Sequence, residues 1–157
     1  MFKRAVLALV VLISAASIAY PAALGVKIDE LATKMNGVLQ RSSSSLKKIP
    51  IALVSSPNDR TVVYSFGKAT ITASSKSPRG EATLIDMEAD NVVDFLAGWA
   101  ALVAALDPQQ NIDTAMWFGP ELRKLIQSGS NEVTIDSIVY KMDARSSKFR
   151  LSITAVD

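Results

Sequence analysis

Hydrophobic and polar positions change period several times along the chain, and each change predicts an element. From Phe95 to Leu106 no side chain is charged or strongly polar, and the run is bounded by Asp90-Asn91 and Asp107-Pro108. Asn and Asp start helices and proline stops them, so Asp90–Pro108 predicts a central helix. The run falls short of the ~20 residues that span a bilayer, so the helix has to be buried inside a fold. Val92, Phe95, Trp99, Leu102 and Leu106 form a large-residue stripe suited to a sheet. Gly98, Ala101 and Ala105 form a small-residue stripe where another helix can approach.

Val26–Gln40 places Ile28, Leu31, Met35, Val38 and Leu39 on one helical stripe, which predicts an amphipathic helix with a face to bury. Arg41–Lys48 holds four serines between basic flanks and reads as a polar link. Strands are expected at Ile49–Val54, with Pro50 suited to its start or to an edge, at Thr61–Phe66, at Lys68–Ser74 and at Glu81–Met87. Ser56-Pro57-Asn58-Asp59 reads as the first turn. After the central helix, Ile112–Gly129 predicts a kinked helix or two short ones, with Pro120 opening the second. In the tail, Phe149, Leu151 and Ile153 alternate strictly with Arg150, Ser152 and Thr154. The apolar phase of Glu132–Met142 slips at Asp136-Ser137, where a bulge or tight turn is expected.

This order of elements predicts an α+β domain. It would have one antiparallel sheet of five or six strands, with a buried central helix and flanking helices on one face.

Composition changes the picture in three ways. The chain has 157 residues, within single-domain size, and 49% are hydrophobic. It contains no cysteine and no histidine. Disulfides, thiolate nucleophiles, Ser-His-Asp and Cys-His mechanisms are therefore excluded within it. Met1–Ala19 has a basic start, an apolar core from Ala5 and small residues near its end, the pattern of a secretory signal. Cleavage fits after Ala19 or after Gly25. The expected organisation is a cleaved signal over residues 1–25 and one exported domain over residues 26–157, periplasmic or secreted. The uncharged residues 5–26 are also long enough to act as an uncleaved inner-membrane anchor. Lys3 and Arg4 account for the formal charge of +2, since 17 basic residues less these two equal the 15 acidic ones. A neutral domain has no electrostatic attraction for nucleic acid.

Three clusters are candidates for function. Met116-Trp117-Phe118 sets three large apolar residues beside the Gly119-Pro120 break. They cannot all face one side of a helix, so they are candidate partner-binding residues. Asp86, Glu88 and Asp90 alternate like the opening of a calcium loop, a candidate Ca²⁺ or Mg²⁺ site. Asn91 stands where that loop needs glycine, and Ala97 where it needs a bidentate glutamate. Carboxylates among Asp86, Glu88 and Asp94 are also the candidates for a small hydrolase, one acting as acid and one as base or nucleophile. Ser65-Phe66-Gly67-Lys68 has serine–lysine acylase spacing but reads as strand and turn. No glycine-rich phosphate loop is present, and no cofactor is implied. The expectation is an exported, non-enzymatic binding domain for an unidentified protein or ligand in the cell envelope or outside the cell. The carboxylate hydrolase and the anchored envelope protein are the alternatives.

Overall fold

A computed structural model describes residues 22–41, 51–107, 131–145 and 148–156. The polar link, the third helix and Met116-Trp117-Phe118 lie outside these residues, as does most of the signal segment.

The fold is α+β, with two described helices and one antiparallel sheet of seven strands. Helix α1 (Leu31–Arg41) leads into a meander of β1 (Ile51–Asn58), β2 (Thr61–Phe66), β3 (Ala69–Ser75) and β4 (Ala82–Ala89). Helix α2 (Val92–Leu106) follows, then β5 (Glu132–Ile135), β6 (Ile138–Arg145) and β7 (Lys148–Ala155). The spatial order is β1-β2-β3-β4-β7-β6-β5. The last strand returns to pair with β4, so β1 and β5 are the edges.

The seventh strand comes from Glu132–Met142, which folds back on itself. Asp136 and Ser137 form a two-residue hairpin turn with φ of 47° and 66°. Positive φ at both central residues matches the right-handed twist of the flanking strands. β1 also runs further than its turn signal implied, because Asn58 still pairs with Thr61. Pro57 is tolerated there because an edge strand needs no donor from it. The turn falls at Asp59-Arg60, where the Asn58 side-chain oxygen accepts the Arg60 N–H at 2.8 Å.

The first helix starts later than its stripe suggested. Before it, the chain lies beside the start of β4. Leu24 N–H donates to Ala82 O at 2.8 Å, Ala82 N–H to Val26 O at 2.7 Å, and Ile28 N–H to Gly80 O at 3.1 Å. These bonds use backbone groups that a helix would need for itself. Leu24, Val26 and Ile28 are all buried, so the packed body includes Leu24. The buried Tyr64 hydroxyl donates to Ile28 O at 2.7 Å and ties this entry segment to β2.

α2 sits over the centre of the sheet and packs on α1. Asn91 caps it, its side chain accepting from Asp94 N–H at 2.9 Å, and every residue from Ala97 to Leu106 is buried. Phe95 meets Phe149 with ring centroids 5.5 Å apart, and Trp99 meets Tyr140 edge-on at 4.9 Å. Burying each such side chain contributes about 1.5–3 kcal/mol. The expected stripes need one correction. Gly98 faces the sheet: a Cβ there would lie 2.3 Å from Met87 Sδ and 3.5 Å from Phe66. Val92, assigned to the sheet stripe, is 48% exposed. The Met87 thioether occupies the space that a side chain at position 98 would need. No described helix is long and apolar enough to cross a membrane.

This close approach is testable by substitution. Gly98→Ala should change the unfolding free energy by less than about 1 kcal/mol, since alanine's better helix propensity offsets the cost of turning the flexible Met87 side chain aside. In a Met87→Ala background, with no thioether to move, the same change should raise it by about 1 kcal/mol. Urea denaturation of the four proteins in this cycle measures the coupling.

Candidate functional site

β-strand alternation divides the sheet into two faces. Tyr64, Phe66, Ile71, Met87, Tyr140, Leu151 and Ile153 are buried on the helix side. Their neighbours face outward, and register brings them into rows. Thr72 pairs with Asp86 and Asp86 with Ser152; Thr70 pairs with Glu88 and Glu88 with Arg150. These six side chains line an open depression of about 490 Å³ on the outer face.

Two of the three candidate metal residues therefore share one depression, but with partners already in place. Glu88 is bound by the Lys148 ammonium and by Arg150 Nε at 3.0 Å. The Ser152 hydroxyl donates to Asp86. Asp90 lies beyond the strand end, in the exposed bend before α2. Asp94 is turned toward its cap: Asn91 Nδ2 donates to Asp94 Oδ2 at 2.6 Å. Among the described residues no group of three His, Cys, Asp or Glu side chains is arranged to hold a metal ion.

The hydrogen bond from Lys148 is the main cause holding the Glu88 carboxyl below its ordinary range, and the charges of Lys148 and Arg150 add to it. A general acid needs the opposite shift, produced by burial or a like charge. Glu88 is thus fitted to be a fixed anion. Ser65 and Lys68 bracket the end of β2, with Gly67 at φ 58° between them. They do not lie on successive turns of a helix, as a serine–lysine pair requires.

A second carboxyl pair was not expected from sequence. Asp107, buried at the C-cap of α2, meets Asp136 on the β5–β6 turn. Hydrogen bonding to Asp107, and then its negative charge, raise the Asp136 carboxyl. Burial pushes the nearby Tyr140 phenol up, with both aspartates adding to the effect. The Tyr140 hydroxyl and Trp99 Nε1 are buried without a hydrogen-bond partner among the described residues.

Another concavity among the described residues is a groove of about 390 Å³ between the start of α1 and the β1–β2 hairpin. Ala32, Leu53, Val62 and Tyr64 make the apolar part of its lining, and Asp29, Asp59 and Arg79 the charged part. Leu53 pairs with Tyr64, so it faces the helix side, yet it is 64% exposed. Val54 beside it is 61% exposed, and from Ala52 to Asn58 every residue of β1 is exposed. Expected strand positions did not reveal this groove, because it forms only when α1 and the hairpin meet.

No family model matches the chain, and no curated protein and no solved structure matches it.

The two carboxyl shifts have opposite consequences for stability. Glu88 is lowered from 4.5, so its stabilising contribution is present above that value and is lost as pH falls through its folded pKa. Asp136 is raised from 3.8, so its contribution is present below that value and is lost as pH rises through its folded pKa. Glu88→Gln should therefore lower stability near neutral pH and flatten the acid limb. Asp136→Asn should raise stability near neutral pH. Urea midpoints from about pH 3 to about pH 7 check both signs.

Proposed function

We propose that the protein is an exported domain, periplasmic or secreted, that acts by binding and not by catalysis. The observation that carries this reading is how charge and apolar surface are distributed. On the outer face Lys148 and Arg150 are paired with Glu88, while exposed Leu53 and Val54 are neighbours on the β1 edge. Exposed apolar surface beside a concavity is the usual mark of a contact site. The absence of histidine and cysteine supports the same reading. Met116, Trp117 and Phe118 remain proposed as a second contact surface on their sequence pattern alone.

Export rests on the sequence of Met1–Ala19. Of the two cleavage positions, we favour the one after Ala19. Cleavage after Gly25 would remove Leu24, whose side chain is buried and whose N–H bonds Ala82 O.

N-terminal sequencing of the protein from an expressing bacterium should begin at Tyr20. A start at Val26 overturns the assignment, and an intact Met1 favours the membrane-anchored alternative. The non-enzymatic reading is tested on chromogenic glycosides and esters. The parent and the Asp86→Asn/Glu88→Gln double variant should show the same background hydrolysis. Turnover by the parent that the double variant loses would sink the reading and favour the carboxylate hydrolase.

A further inference from the structure

We propose that the outer edge of β1, with the groove beside it, binds an extended peptide as an eighth strand, and that the peptide carries a basic residue two positions from an apolar one. This rests on the binding reading above and names its partner class.

The two edges of the sheet differ in the features that govern strand addition. β5 has four residues and begins with exposed Glu132, so it is short and charged. Short, charged edges resist pairing with another chain. β1 has eight residues, IALVSSPN, with no charged side chain among them. Among the described strands it pairs only with β2. Its backbone edge therefore lacks the charge that usually blocks an added strand, and it exposes Leu53 and Val54 at 64% and 61%.

The groove supplies what an edge alone lacks, which is side-chain selectivity. An added strand points alternate side chains to each face, so every second one falls on the helix side, where Leu53 opens the groove. An apolar side chain suits the Leu53 surface. The charged lining of the groove is two carboxylates, Asp29 and Asp59, and one guanidinium, Arg79. That net negative lining favours a Lys or Arg two positions along the peptide, on the same face.

The irregularity of β1 argues for a peptide over a second copy of this chain. Its pairing with β2 shifts register between Leu53 and Ser55 and again between Ser55 and Asn58. Such bulges increase local twist, which a flexible peptide can follow. Two rigid edges, each with these bulges, match one another poorly.

Random dodecapeptides displayed on phage and selected on the folded protein provide the probe. Selected peptides should carry Lys or Arg two positions from an apolar residue, so that both side chains fall on the groove side. Their synthetic versions should bind about tenfold or more weakly to Leu53→Lys, to Val54→Lys and to Asp29→Asn/Asp59→Asn. All four positions are exposed, and unchanged thermal midpoints verify that each variant is folded. Failure to select any peptide, or equal binding to all three variants, overturns the proposal. So does self-association of the parent that Leu53→Lys abolishes, which assigns the edge to a second copy. Hydrolytic turnover dependent on Asp86 and Glu88 bears on the binding reading alone, because those residues occupy the opposite face of the sheet.

Discussion

Burial of α2 on every side is the constraint from which the rest of the fold follows. An isolated helix needs cover for one stripe only; this one is buried around its whole circumference from Ala97 to Leu106. One sheet can cover only one side of it. α1 closes another, and Gly98 lets the helix settle against Met87 and Phe66. Trp99 and Phe95 then reach Tyr140 and Phe149, so the strands that follow the helix in sequence join the strands that precede it in one sheet. β7 beside β4 is the seam where the two halves of the chain meet.

A consequence is a sheet wider than its described helical cover. Seven strands extend roughly 29 Å between their outermost axes, while two helices side by side span roughly 20 Å. The centre is therefore dry and the margins are not: β3 buries alternate residues completely, whereas β1 is exposed from Ala52 onward and β5 is only half buried. The central strands and α2 keep the core together, and the margin at β1 leaves Leu53 and Val54 exposed. The outer face is different again. There, Lys148 and Arg150 pair with Glu88 across the strands, and the Ser152 hydroxyl donates to Asp86.

Much of the fold was legible in the residues. The central helix, the meander, the tail hairpin and the α+β class follow from period and turn chemistry, since these depend on neighbours a few positions away. The errors fell where distant partners compete with local preference. Ile28 lies on a helical stripe, but Gly80 and Tyr64 claim its backbone, so α1 begins at Leu31. Pro57-Asn58 reads as a turn, but β2 holds Asn58 in the strand. The phase slip at Asp136 was visible; its outcome as two paired strands, which brings the sheet to seven, was not. The candidate sites show the same division. Asp86 and Glu88 were visible as alternating carboxylates, but Lys148, Arg150 and Ser152, about sixty positions away, set their chemistry.

By itself, the sequence excluded histidine and thiol chemistry and demanded that one uncharged helix be buried. These are matters of composition and local pattern, and no arrangement of the chain can change them. Tertiary structure alone decided which strand became the exposed edge, which carboxylates were paired, and that Leu53 would line a groove with Asp29 and Asp59. Each depends on strand register and on the order of strands in the sheet. Register joins residues far apart in the chain, and the interactions that select it act only once the core around α2 has closed.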